Sequence, residues 1–251
     1  MKFTELAVQA KEAAYEAGKK ILEIYETGDF SVEAKSDDSP LTKADKAAHK
    51  IIVEGLQESG FPILSEEGRD IPYEERKDWE RFWMVDPLDG TKEFIKKNGE
   101  FTVNIALIER GKPVLGVVYA PVLDKMYYTI NREGAVMEER GFAYELKPAY
   151  GSTVHNIVAS RSHKSQETEE FLAQYPKAEI VSMGSSLKFM LLAEAKAQLY
   201  PRFAPTMEWD TAAAHAILSV LGYSVHKPKG EELEYNKEDL LNPYFIAEMK
   251  S

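Results

Sequence analysis

Apolar positions recur at helical spacing over residues 4–26, where Leu6, Ala10, Ala13, Ala17, Ile21 and Ile24 share one face and Gly28 follows as a stop signal. The same period covers residues 43–59, with Ala44, Ala47, Ala48, Ile51, Ile52 and Leu56 toward a core and Gly60 at the end. Two long helices joined by the polar stretch 31–41 predict a helical hairpin lying on a sheet. Short apolar runs follow at 61–65, 81–86, 101–109, 113–120, 125–130 and 134–137, the third and fourth forming a hairpin about Arg110-Gly111-Lys112. Beyond residue 151 the rhythm changes: strand patterns at 154–160, 179–183 and 198–200 alternate with helical ones at 165–175, 186–197 and 210–221, the last closed by Gly222. Alternation of this kind predicts a sheet with helical cover. The chain therefore reads as α/β (α+β) in two units. Residues 1–150 form a helix-plus-antiparallel-sheet unit, residues 151–251 a smaller α/β unit, and a site is expected in the cleft between them.

Composition narrows the function classes. No apolar stretch approaches the ~20 residues of a membrane span, and residues 1–20 alternate charge with alanine, unlike a secretory leader. With no cysteine, disulfides, zinc–thiolate sites and thiol catalysis are excluded. The simplest placement is cytoplasmic, at most peripheral to the inner face of the membrane. The net charge of −11, from 42 acidic against 31 basic residues, leaves no broad cationic face for polymeric nucleic acid. A small anionic substrate stays compatible where cations gather locally.

The most informative stretch is Trp83-Met84-Val85-Asp86-Pro87-Leu88-Asp89-Gly90-Thr91. An apolar run ends in two carboxylates three positions apart, then a small-residue turn and a hydroxyl. Such carboxylates can share divalent cations, and Gly-Thr can present backbone N–H groups to a phosphate. Further acidic stations stand at Asp45, at Glu66-Glu67 and at Asp210 within Glu208-Trp209-Asp210-Thr211-Ala212-Ala213. Carboxylates from separate segments suit two or more Mg²⁺ at the ~3.5–4 Å spacing used for in-line displacement at phosphorus. Each station also has a purely structural reading. Thr42-Lys43-Ala44-Asp45 fits a helix capping box, Glu66-Glu67-Gly68 a solvated turn, and Asp210 a helix-dipole partner. Asp86 and Asp89 resist that reading, because Asp-Gly-Thr after a buried strand is too particular for a routine turn. A haloacid-dehalogenase-type phosphatase, with its D-x-D-G-T, is disfavoured: here the spacing is three, a proline intervenes, and the segment lies far from the N-terminus.

Taken in order, Asp45, Leu64-Ser65-Glu66-Glu67, Asp86-Pro87-Leu88-Asp89-Gly90-Thr91 and Trp209-Asp210-Thr211-Ala212-Ala213 resemble the signature of the lithium-sensitive, magnesium-dependent phosphatases related to inositol monophosphatase. The resemblance spans essentially the whole chain. It implies the layered α/β/α/β/α sandwich of the inositol monophosphatase and fructose-1,6-bisphosphatase type. Residues 35–42, 89–95, 99–105 and 184–189 are similar to the branch that removes the 3′-phosphate from adenosine 3′,5′-bisphosphate, a by-product of sulfate assimilation.

What the resemblance implies is specific. Glu66, Asp86, the carbonyl of Leu88, Asp89 and Asp210 would ligate two or three Mg²⁺. Thr91, with Asp45 or Glu66, would orient an attacking water, and hydrolysis would proceed without a phosphoenzyme. Amides of Gly90, Thr91 and Lys92 would cradle the scissile phosphate. Ser185, Ser186, Lys188, Arg202 and His163 would contact the remainder of the substrate, and Asp210 would also serve the leaving group. Glu67 is a neighbour of the ligands rather than a ligand. His49, His155, His215 and His226 read as structural, and Trp79, Trp83 and Trp209 as packing anchors. Gly68 stands where relatives often carry a polar residue, which bears on access to the cleft. Inositol 1-phosphate, fructose 1,6-bisphosphate and a non-catalytic nucleotide-binding module are the competing readings. Monomer and homodimer both remain open.

Overall fold

In the computed structural model, the described residues are 1–34, 40–68, 70–147, 153–159 and 165–249. Helix α1 (Phe3–Thr27) ends at Gly28 in the left-handed region (φ 70°), as the stop signal requires. The two-residue strands β1 (Glu33–Ala34) and β2 (Pro40–Leu41) pair before α2 (Lys43–Leu56). A 3₁₀ turn, Gln57–Ser59, completes the second periodic stretch up to Gly60. The sequence signature Lys35–Ser39 lies outside the described residues.

The large sheet is a meander of β3 (Ile63–Ser65), β4 (Arg81–Asp89), β5 (Thr102–Glu109), β6 (Lys112–Ala120), β7 (Lys125–Thr129), β8 (Ala135–Glu139) and β9 (Phe142–Glu145), in that spatial order. Only β3–β4 is parallel. Two short helices flank β4: α3 (Tyr73–Arg76) and α4 (Thr91–Ile95). The smaller sheet has the order β11-β10-β12-β14-β13, built from β10 (Asn156–Val158), β11 (Glu179–Val181), β12 (Leu199–Arg202), β13 (Tyr223–His226) and β14 (Phe245–Met249). Helices α5 (Gln166–Leu172), α6 (Leu187–Ala193) and α7 (Glu208–Val220) accompany it.

The layers follow from the two-residue period of strands. Trp83, Val85, Val103, Ile105 and Val117 point toward α1 and α2, while Phe82, Met84, Ala106, Ile108 and Val118 point toward α6 and α7. Both faces are covered, which is why these strands read as continuous apolar runs rather than alternating ones. Ile157, Leu199 and Ile246 on the far face of the small sheet pack against Phe171 and Leu172 of α5. The result is the α/β/α/β/α sandwich. Helix α7 is its centre, touching β4, β5, β6, β7 and β13.

Several elements depart from the periodic reading. β9, β13, β14 and α3 were not expected, and β14 runs antiparallel between β12 and β13, so the second sheet is mixed. Helix α6 stops at Ala193 because Ala195 takes a left-handed conformation (φ 57°). No helix among the described residues is long and apolar enough to cross a membrane.

The tightest contact in the sandwich is at Gly116. A Cβ there would lie 2.1 Å from the carbonyl oxygen of Ala213, so β6 and the α7 backbone meet with no side chain between them. We expect Gly116→Ala to destabilise the protein on the order of 3 kcal/mol through overpacking, read from chemical denaturation, and to reduce activity by displacing α7.

Candidate active site

Asp86 and Asp89 do not follow the end of a strand, as expected from the sequence; they lie within β4, which continues to Asp89. Asp86 pairs with Asn104 and Asp89 with Thr102, so three steps on β4 oppose two on β5. Residues three apart on a regular strand face opposite sides. The irregularity at Pro87, which has no N–H for the ladder, turns both carboxylates to one side. Gly90 (φ 95°) then breaks the strand and starts α4. A Cβ on Gly90 would meet the Glu100 carbonyl at 3.2 Å and Ser185 Cβ at 3.3 Å.

Asp210 arrives from the other sheet system, in the first turn of α7, where its Oδ2 accepts from the Met207 amide at 2.8 Å. Behind it, the buried Glu208 holds the amides of Asn236 and Lys237 at 2.6 and 3.1 Å. The guanidinium of Arg76 in turn ties that loop through the Asn236 side chain and the carbonyls of Lys237 and Glu238. The helix end that presents Asp210 is thus fixed by a network reaching back to α3.

Oxygens of Asp86, Asp89 and Asp210 come within 4.8 Å of one another. Burial, then the charges of Glu66, Asp89 and Asp210, push the Asp86 carboxyl well above the usual carboxylate range. Asp210 is raised likewise, by burial first and then by Asp89. An all-oxygen, multiply anionic donor set suits a hard divalent cation. The residues therefore fit a metal ion. Glu66 lies in a 3₁₀ turn after β3 and interacts with Asp86 by charge and by a hydrogen bond, so this turn is part of the site rather than a solvated connection.

Asp45 does what the capping reading required: it closes the N-terminus of α2, its Oδ2 accepting from the Thr42 amide at 2.8 Å. Its other oxygen, Oδ1, lies 3.3 Å from the Thr91 hydroxyl, which is also 3.3 Å from the Leu88 carbonyl. Capping and proximity to the site coexist in one side chain. Ser185 and Ser186, expected at the substrate, have their hydroxyls 2.7 and 2.8 Å from Asp89 Oδ2. Glu67 is half-buried in the same turn as Glu66. His163 lies outside the described residues.

Beside the carboxylates is a cavity of about 190 Å³ lined by Asp89, Lys188, Tyr200, Arg202, Thr206 and Asp210 among others. Lys188, half-buried on α6, has its ammonium pKa lowered to about 8, chiefly by burial. The Arg202 Nε is buried and has no hydrogen-bond partner among the described residues. A larger groove of about 820 Å³ between α1 and α2 carries Glu5, Glu12, Glu16 and Glu58, chemistry that repels an anion. Volume alone does not choose the site here; charge does.

Residues 2–249 match the model of the inositol monophosphatase family. The chain belongs to this family. It is 51% identical over 242 residues to the 3′(2′),5′-bisphosphate nucleotidase CysQ of Salmonella typhimurium, covering 94% of this chain and 97% of the relative. The protein of the same name from Escherichia coli (strain K12) is 49% identical, with the same coverage. The crystal structure of CysQ from Bacteroides thetaiotaomicron, described as a bacterial member of the inositol monophosphatase family, matches with a TM-score of 0.90 and 47% identity, over 99% of this chain and 98% of that one.

For this member of the family, sequence reasoning named Asp86, Asp89 and Asp210, which lie together among the described residues. It missed the supports: Thr102 and Asn104 on β5, Glu208 with its Arg76-anchored loop, and Tyr200 and Thr206 in the cavity wall. The signal for the first pair was available, since Thr102 and Asn104 are polar positions inside the apolar run 101–109 and two apart, hence on one face. His49 and His215 have structural partners. His49 Nδ1 lies 2.9 Å from Ser65 Oγ, and His215 Nδ1 lies 2.9 Å from the Tyr235 hydroxyl. Trp83 and Trp209 are buried, and Trp79 packs on Phe82.

The raised carboxyls set a pH signature. A group whose folded pKa lies above its unfolded value contributes stability that is complete below the unfolded pKa and lost as pH rises through the folded one. Asp86 and Asp210 both belong to that class. In chelator, the melting temperature is therefore expected to fall as pH rises above the ordinary carboxylate range. A divalent cation should flatten that fall, and Asp86→Asn should flatten it without metal while abolishing the response to metal. Thermal melts between about pH 4 and about pH 8 read all three.

Proposed function

We propose that this chain is a Mg²⁺-dependent phosphomonoesterase that removes the 3′-phosphate of adenosine 3′,5′-bisphosphate, yielding AMP and phosphate. The observation carrying this reading is the convergence of Asp86, Asp89 and Asp210 beside a cavity walled by Lys188 and Arg202. An anionic trap for cations thus adjoins a cationic wall for a second anion, which suits a substrate with two phosphates. The nucleotidase names carried by relatives of about half-identical sequence support the same substrate class. We also take residues 1–150 and 151–251 as its two units, with the substrate between them.

Glu66, Asp86, Asp89, Asp210 and the Leu88 carbonyl would hold the Mg²⁺ ions. Bound there, the ions would neutralise the phosphate and acidify water. Every other part falls to the chain. Asp45, pinned through Oδ2 by the Thr42 amide, offers Oδ1 as acceptor to the Thr91 hydroxyl. With its proton directed to Asp45, the Thr91 oxygen is free to accept from a water and aim it at phosphorus. The first amides of α4 lack intrahelical acceptors, so Gly90, Thr91 and Lys92 present donors to the scissile phosphate. Lys188 and Arg202 would meet the 5′-phosphate, the guanidinium with a forked pair of donors. Ser185 and Ser186 line the same cavity and border the substrate while holding Asp89. His163 is assigned to the nucleotide on the resemblance alone.

Phosphate release from adenosine 3′,5′-bisphosphate, inositol 1-phosphate and fructose 1,6-bisphosphate, at equal concentration with and without Mg²⁺, tests the reading. The nucleotide is expected to be fastest, with turnover lost in chelator and inhibited by millimolar Li⁺. Faster release from inositol 1-phosphate would move the assignment to the inositol branch. A catalytically silent binding module would release phosphate from none.

Lys188 gives a separate expectation. Its charge is lost as pH rises through about 8, so kcat/KM for the bisphosphate should fall on that alkaline limb. Lys188→Met should raise KM by roughly tenfold with little change in kcat, and the alkaline limb should disappear with it.

A further inference from the structure

Asp89 accepts every one of its hydrogen bonds on a single oxygen. Oδ2 receives the Ser185 hydroxyl at 2.7 Å, the Ser186 amide at 2.7 Å, the Ser186 hydroxyl at 2.8 Å and the Asn104 amide at 3.3 Å. One oxygen is saturated by the protein, and the other receives no donor among the described residues.

The two serines must both be oriented as donors for this to hold, and a hydroxyl carries only one proton. Two residues on β5 adjoin the serines. Thr102 Oγ1 lies 2.6 Å from Ser185 Oγ and 2.9 Å from Asn104 Oδ1. Asn104 Nδ2 lies 2.9 Å from Ser186 Oγ. Asn104 Oδ1 can only accept, so the single Thr102 proton goes to it and sets which way the Asn104 amide faces, while the Ser185 proton goes to Asp89. With Asn104 filling a lone pair on Ser186, the Ser186 proton goes to Asp89 or to the Asp210 carbonyl 2.9 Å away. The reversed Asn104 amide would set its oxygen against the Asp89 carboxylate. Thr102 and Asn104 are both buried, and their cross-strand register opposite Asp89 and Asp86 places them there.

We propose that Thr102 and Asn104 are positioning residues for Asp89, Thr102 by orienting the Asn104 amide and Asn104 by donating to Asp89 and to Ser186, so that Asp89 Oδ1 is preset for a divalent cation. They do not touch substrate. The proposal rests on the metal-holding role given to Asp89 above, and not on which phosphate ester is hydrolysed.

Calorimetric titration of the full chain with Mg²⁺, without substrate, tests it. Thr102→Val keeps the shape and removes the hydroxyl, and the expected loss of Mg²⁺ affinity is about 10–100-fold, the size usual for groups that orient metal ligands. Thr102→Ser should restore affinity to within about twofold of the parent on the same scale. Because Thr102 acts through Asn104, Thr102→Val combined with Asn104→Leu should lose no more than Asn104→Leu alone. Asn104→Leu supplies a second arm should Thr102→Val not fold, with the same order of loss expected. Parental Mg²⁺ affinity in Thr102→Val or in Asn104→Leu would overturn the proposal, as would losses that add in the double variant. Failure of the parent to hydrolyse the nucleotide while these titrations behave as expected would reject the substrate assignment alone.

Discussion

Like charges held together govern this structure. At 4.8 Å and an effective dielectric near 20, each carboxylate pair repels by on the order of 3 kcal/mol, and burial adds to the cost. A fold does not gather Asp86, Asp89 and Asp210 for its own stability. Their convergence fits a bound cation, whose attraction would offset the repulsion, and the surrounding architecture holds the oxygens in place.

Three devices do the holding, and each works on backbone direction. Pro87 distorts β4 so that two aspartates three apart face one side. Gly90 turns the chain in a left-handed conformation that side chains rarely adopt and begins α4. Helix α7 sits so close to β6 at Gly116 that it is wedged between the sheets, and Glu208 with Arg76 locks its first turn. Asp210 can then meet residues more than a hundred positions earlier without depending on a flexible loop.

The serines at the start of α6 have a double character. They belong to the second sheet system, yet their hydroxyls converge on an aspartate of the first. This polar seam fixes the two halves of the site to each other where an apolar contact would leave Asp89 free to rotate. The adjoining cavity adds Lys188 and Arg202 from the same half, so two cationic side chains and the donors that orient a carboxylate share one wall.

Much was legible in the chain itself. The α1 and α2 periods, the glycine stops at 28 and 60, and the β5–β6 hairpin follow from local spacing, because helices and hairpins are short-range structures. The acidic stations were legible too, since Asp86-Pro87-Leu88-Asp89-Gly90-Thr91 carries its chemistry in consecutive residues. Tertiary structure decided the rest. Whether Asp45 merely caps a helix or also reaches Thr91 depends on a contact spanning 46 positions, and no local pattern encodes it. The place of β14 between β12 and β13 likewise needs the chain's end to return across the sheet. The donors that fix Asp89 come from a strand and a helix some eighty residues apart, and only packing, not spacing, could bring their few protons to one oxygen.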